Sequence, residues 1–215
     1  MSTTPPHHVE PRWPVLLAFA AIVALNIALP ESLSFGPRWL LAALFTALAA
    51  VSWTAHSRGR ENRAYIFGLA LNASVTIALI ASVALLIREL PQHKESPTEL
   101  LRSAGSLWVT NVLVFAGWYW RLDGGGAHVR ERVPLHEDGA FLFPQMALEA
   151  ESAAKPDCWH PRFIDYLFLA FNTSTALSPT DTQVLSRWAK ALMMLQSLIS
   201  LTIVVLLAAR AVNIL

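Results

Sequence analysis

The chain has 215 residues, of which 54% are hydrophobic and 14% charged, and its mean hydropathy is +0.45. That leaves too little polar surface to solvate a globule of this size, so the composition selects a lipid bilayer as solvent. The formal net charge is +1 and the Lys and Arg are scattered, which gives a nucleic acid no basic face to bind, and the single cysteine, Cys158, excludes an intramolecular disulfide.

Spanning a hydrocarbon core takes about 20 apolar residues, within about 17 to 25. By that length residues 14–30, 39–55, 64–87, 100–120 and 191–215 each predict a spanning helix. Arg12 ahead of the run from Val15 to Leu29 resembles the start of a signal peptide. No A-x-A pattern stands near Pro30 and further apolar runs follow, so the first helix is expected to be retained. Residues 161–177, PRFIDYLFLAFNTSTAL, reach only about 25 Å as a helix and end polar, so they either span marginally or re-enter. The fold expected is all-α, an integral membrane helical bundle of about six transmembrane segments, five long and one short or re-entrant. It divides into a four-helix membrane region over 1–120, a loop over 121–160 and a helix-turn-helix module over 161–215. The eight tryptophans, Trp13, Trp39, Trp53, Trp108, Trp118, Trp120, Trp159 and Trp188, are read as lying at or near segment ends, where the ring is buried and its N–H stays wet.

The 121–160 loop opens with Gly124-Gly125-Gly126, which ends the fourth helix because glycine tolerates the left-handed cap. Its middle, Phe141-Leu142-Phe143-Pro144-Gln145, is too apolar for a solvated linker and is expected to pack on the helix ends or lie in the interface. If 161–177 spans, both termini are cytoplasmic and ten of the sixteen Lys and Arg lie inside, the short loop HSRGRENR contributing most. Arg210 is then expected to reach the cytoplasmic interface as an anchor. Polar side chains occur about one to a span, at Asn26, Asn72, Asn111, Asn172 and Gln196, and suit either interhelical hydrogen bonds or a wet path. Gln196 and Ser200, four apart, share a helix face that suits either a helix contact or a pore lining.

The stretch DYLFLAFNTSTALSPTDTQVLSRWAK (165–190) and the apolar helix after it resemble the pore module of two-helix potassium channels. In that family an aromatic-rich pore helix leads to a Thr-rich turn, a Gly-Tyr-Gly filter followed by an acidic residue, and an inner helix. The resemblance implies that Tyr166, Phe168 and Phe171 belong to a pore helix and Thr173, Ser174 and Thr175 to the turn. Asp181 takes the acidic position, and Gln196 to Ala209 form the inner helix. The chain departs from the family at the filter, which reads Ala176, Leu177, Ser178, Pro179 and Thr180, and has no glycine after Gly139. Glycine alone enters positive φ cheaply, and Pro179 fixes its own φ near about −65° and restricts Ser178, so no potassium-selective carbonyl filter forms. Read locally, Ser178-Pro179-Thr180-Asp181 is a helix start, with a serine N-cap, proline at the first position and a carboxylate at the third. The same device recurs at Ser96-Pro97-Thr98-Glu99.

From about residue 106 onward the chain also resembles a widespread group of uncharacterised bacterial multi-pass membrane proteins that carry the phrases WYWRLDGGG, FLFPQ, DYLFLAF, SPTDT and ARAVNIL. This resemblance implies an architecture and a bacterial cytoplasmic membrane. His128, His136, Cys158 and His160 share one loop but lack the paired spacing of a zinc site, and no acidic, histidine or cysteine cluster falls at membrane depth. No metal, cofactor or catalytic activity is therefore expected. The function expected is a channel-like protein whose polar turn or pore is drawn from Thr173, Ser174, Thr175, Ser178, Thr180, Asp181, Gln196 and Ser200. It would work as a homo-oligomer, a tetramer if a pore, with inorganic ions as ligands and the lipid bilayer as partner. The alternatives are a non-conducting structural or accessory subunit and a small transporter.

Overall fold

A computed structural model describes residues 10–34, 37–89, 97–131, 139–151, 159–179 and 181–212. The elements run α1 Trp13–Ala28, α2 Arg38–Ser57, α3 Glu61–Glu89, α4 Pro97–Leu122, α5 Ala127–Arg130, β1 Phe141–Leu142, α6 Pro144–Glu151, α7 Phe163–Thr175, β2 Gln183–Val184 and α8 Arg187–Val212. Four of them, α2, α3, α4 and α8, are long and apolar enough to cross a membrane. The fifth apolar helix, α1, has 16 residues and rises about 24 Å. The chain is an all-α integral membrane bundle.

The boundaries follow local chemistry. Pro14 falls in the first turn of α1, where its missing N–H costs nothing. Gly59, at φ +68°, turns the chain from α2 into α3, whose first residue Glu61 places negative charge at a helix N-terminus. Pro97 opens α4 with Glu99 in its first turn. Gly124, Gly125 and Gly126 all have positive φ and turn the chain out of α4. The middle helix of the bundle is α4, packed against α1, α3, α7 and α8, whereas α2 leaves most of its surface outward. A single apolar cluster draws Ile22 from α1, Leu71 and Leu79 from α3, Phe115 and Tyr119 from α4, Phe141 from β1, Leu169 from α7 and Ile203 from α8.

Helices α1 to α4 alternate in direction, so the start of α1 and the end of α4 meet at one end of the bundle, where Trp120 donates to Glu10. This is termed the charged end. From it α7 also starts, with Phe163 N–H bonded to Glu10, and descends beside α4 until Ser174 stands level with Asn111, half-way along α4. Thirteen residues rise only about 20 Å, short of a core about 30 Å thick, so α7 is a half-helix. The chain then turns back. β2 pairs antiparallel with β1, matching Phe141 with Val184 and Leu142 with Gln183, and Leu185 N–H bonds Ala140 O at 2.8 Å. Only after this return to the charged end does α8 begin, and it runs parallel to α7, with Gln196 beside Ala170 and Ser200 beside Ser174.

Several expectations are corrected by this path. Segment 161–177 forms a half-helix that stops at mid-bundle and turns back instead of running the length of the bundle, so α8 ends at the opposite end of the bundle from the one where α1 starts. Arg210, whose side chain lies outside the described residues, sits on this far-end part of α8. The SPTD sequence does not start a helix, because α8 begins at Arg187 with Ser186 as its cap, Ser186 Oγ accepting the Ala189 N–H at 3.3 Å. Instead the Thr182 N–H bonds Pro179 O at 3.3 Å, and the chain then pairs with β1 through Gln183 and Val184. Trp108 lies at mid-depth rather than at an interface, and its N–H is satisfied there by Ser200 Oγ at 3.1 Å instead of by water.

Candidate functional site

The half-helix is clamped at its start. Glu10 Oε1 accepts from the Phe163 N–H and from Trp120 Nε1, both at 2.8 Å, so a carboxylate from the segment leading into α1 caps α7. Arg130 lies 3.5 Å from the other Glu10 oxygen, donates to the carbonyls of Trp120 at 2.8 Å and Asp123 at 2.7 Å, and stacks over the Tyr166 ring. Asp123, fully buried in the glycine turn, accepts from Tyr166 Oη at 2.6 Å and from the Ala140 N–H. Asp165 accepts the Arg162 N–H and completes a capping box on the first turn. Burial pushes the Glu10 carboxyl above the ordinary carboxylate range, although Arg130 and the two N–H donors pull the other way. Below this clamp Phe141 fills the gap among Tyr119, Tyr166 and Trp188, with ring centroids 5.2 to 6.3 Å away.

At mid-depth α8 donates to carbonyls of the last turns of α7, Thr173 O and Ser174 O belonging to the group that a helix end leaves without internal partners. Ser200 Oγ donates to Ser174 O at 2.6 Å, Ser197 Oγ to Thr173 O at 3.4 Å, and Gln196 Nε2 to Ala170 O at 2.7 Å and to Ser174 Oγ at 2.8 Å. Tyr119 Oη donates to Gln196 Oε1. From α4, Asn111 Nδ2 donates to Gln196 O at 3.2 Å and Ser174 Oγ at 3.4 Å. Gln196, Asn111, Ser200 and Tyr119 are completely buried. In lipid an amide without partners costs several kcal/mol, so this network fixes the depth and rotation of the half-helix.

Of the residues predicted from sequence, Thr173, Ser174, Gln196 and Ser200 come together in this packed seam. Thr173 is buried, with Oγ1 turned back to Leu169 O. Thr175 is exposed, its hydroxyl bonded to Phe171 O at 2.9 Å. Ser178 and Asp181 lie on the return segment, Asp181 exposed, and Thr180 lies outside the described residues. Asn26 and Asn72, and Asn111 at its Oδ1, each keep a buried amide atom without a partner among the described residues. His136 and Cys158 lie outside the described residues, and among those described no three His, Cys, Asp or Glu side chains converge as metal ligands.

Sequence reasoning missed the clamp: Glu10, Asp123 and Arg130 were not singled out. Asp123 and Arg130 carry a weak signal, as charges flanking three glycines. Glu10 carries none, because its partners are 110 and 153 residues away. The site therefore consists of a half-helix whose carbonyl end stops at mid-bundle, a return segment of irregular backbone, and polar seats at both ends of the half-helix. Comparison with known protein families, with curated proteins and with solved structures finds no match.

Proposed function

We propose that this is a channel-like membrane protein in which α7 and its return segment, supplied by several copies, line a weakly selective path for inorganic cations. The observation that carries this reading is a half-helix that hands over, at mid-bundle, to exposed irregular backbone. Such backbone persists at membrane depth only when buried in protein or beside water. Thr175, Ala176 and Leu177 are exposed in the single chain, so a second copy or an aqueous cavity must cover them. The carbonyl end of a helix carries partial negative charge, roughly half an elementary charge, and Asp181 adds a full charge at the mouth. Both favour cations. The order of aromatic half-helix, Thr-rich end, return and long helix is that of the potassium-channel module the segment resembles, while Leu177 and Pro179 in place of filter glycines remove potassium selectivity. Thr175, Ser178 and Asp181 are the polar groups of the path, and Gln196 and Ser200 brace it. One chain supplies one half-helix, so the pore is a homo-oligomer, a tetramer on the potassium-channel pattern.

Orientation follows from charge. Arg12, Arg58, Arg60, Arg63, Arg121, Arg130, Arg162, Arg187 and Lys190 belong to the charged end, against Arg38, Arg88, Arg102 and Arg210 on helix segments at the far end. By the positive-inside rule the charged end is cytoplasmic. The resemblance of the C-terminal phrases to bacterial multi-pass proteins is what supports a bacterial cytoplasmic membrane. A non-conducting accessory subunit is the second reading, favoured by the closure of Ser174, Gln196 and Ser200 into one packed seam.

Protein reconstituted in liposomes is expected to pass sodium and potassium with little discrimination, and Asp181→Asn to lower cation relative to anion flux. Reconstituted protein that passes no ion at any voltage or pH, and that stays monomeric in mild detergent, overturns the pore and leaves the accessory subunit.

A further inference from the structure

A cavity of about 70 Å³ opens at the charged end among α1, α2, α3, α4 and α5. That is room for several waters, since one occupies about 10 to 15 Å³ measured in this way. Its polar lining includes Arg12, Ser52, His56, Glu61, Tyr65 and Arg121. The two guanidinium groups are not in the same state. Arg12 is matched by Glu61 at 3.9 Å and Glu131 at 3.6 Å. Arg121 has no carboxylate within ion-pair distance among the described residues, and its Nε is buried without a hydrogen-bond partner.

The position of Arg121 is nevertheless tightly defined. Its guanidinium lies over the rings of Trp120 at 5.3 Å and Phe19 at 5.7 Å, and it occupies the space that any Cβ on Gly68 of α3 would fill. Stacking fixes the plane of the fork while leaving its donors to a ligand in that plane. A fixed, unmatched cation at a membrane interface, with a second cation on the same cavity wall, suits a tetrahedral oxyanion, which a guanidinium binds through paired hydrogen bonds. Leu16 and Trp53, 40% and 45% exposed, form an apolar outer rim of the cavity.

We propose that this cavity binds a phosphate-type oxyanion through Arg121, with Arg12 as the second cation, supplied by the head group of an anionic phospholipid or by free phosphate. Basic pockets between membrane helices on the cytoplasmic side suit such head groups. The test uses the full chain in mild zwitterionic detergent, with inorganic phosphate titrated against chloride at constant ionic strength. In a second arm phosphatidylglycerol is titrated against phosphatidylcholine, and thermal stability is read in both. Wild-type protein is expected to show a saturable rise with phosphate or phosphatidylglycerol and none with chloride or phosphatidylcholine. A response to both active probes, or to phosphate alone, assigns the free anion's chemistry; a response to phosphatidylglycerol alone assigns the head group. Arg121→Gln should weaken apparent affinity at least tenfold, and Arg121→Lys less. Should Arg121→Gln not fold, Gly68→Ala takes its place, because it displaces the guanidinium without altering any charge and should also weaken binding. Absence of a saturable response to both probes in the wild type overturns the site, as does a folded Arg121→Gln or Gly68→Ala protein that binds as tightly as the wild type.

Discussion

Leu177 is the one described residue other than glycine held at positive φ, at 53°. It stands just beyond the last turn of α7, in the left-handed position that ends many helices and that glycine usually fills. A branched side chain there costs about 1 to 2 kcal/mol. Because Leu177 is 47% exposed, removing the side chain sacrifices little burial. Leu177→Gly is therefore expected to raise stability by about 1 kcal/mol, a rise of a few degrees in the thermal midpoint; a midpoint that falls would show that the leucine is held by contacts rather than strained. Gln196 presents the opposite case. Its amide meets Tyr119 Oη, Ser174 Oγ and Ala170 O, and Gln196→Leu strands the Tyr119 hydroxyl in an apolar seam and removes two donated bonds to α7. We expect a loss of about 1 to 3 kcal/mol, while Ser197→Ala, which gives up one 3.4 Å contact, should cost less than about 1 kcal/mol. A Gln196→Leu protein as stable as the wild type would refute the bracing role. That Gln196, Ser200 and Ser174 are polar in an apolar run was legible in the sequence. Their mutual contact was not, since Ser174 and Gln196 are joined across a turn whose path depends on β1.

Elements show where local signals suffice and where they are overruled. Pro97-Thr98-Glu99 and Pro179-Thr180-Asp181 carry the same helix-start chemistry, yet only the first opens a helix. The difference is non-local: two residues after Asp181 the chain pairs with Phe141 and Leu142, residues some forty positions earlier. A sequence window sees the cap and not the ladder. The short length of 161–177 did signal that it spans marginally or re-enters, and the chain's turn at mid-bundle back to β1 is the path of the second. Topology then becomes testable with one thiol. Cys158, outside the described residues, falls in the sequence between α6 and α7, both at the charged end, so on the proposed orientation an impermeant thiol reagent should reach it only from the cytoplasmic side. A cysteine appended after Leu215 in a Cys158→Ser background should react from the opposite side. Labelling of both positions from the same side would mean that 161–177 crosses after all.

At the scale of the whole molecule, the proposed oligomer requires that one outward face meet another copy while the other meets lipid. Both candidate faces are apolar, so hydropathy alone does not separate them. One lies on α2, where Leu40, Leu44 and Val51 are 40% to 49% exposed. The other lies on α7 and α8, where Phe168, Met194 and Leu198 are each exposed by 61% or 62% beside the return segment. Only the second carries irregular backbone that lipid does not tolerate, and burying that backbone stabilises association in a way that matching two apolar helix faces in lipid does not. In a Cys158→Ser background, single cysteines at Phe168 or Leu198 should therefore form oxidative cross-links between copies in native membranes, whereas a cysteine at Leu44 should not. Cross-linking confined to Leu44 would assign the subunit contact to α2 and turn the return segment toward an aqueous cavity within one chain. Cross-linking at Phe168 and Leu198 in a ladder that stops at four copies would bring the half-helices around a common axis, which is the arrangement a cation path between subunits requires.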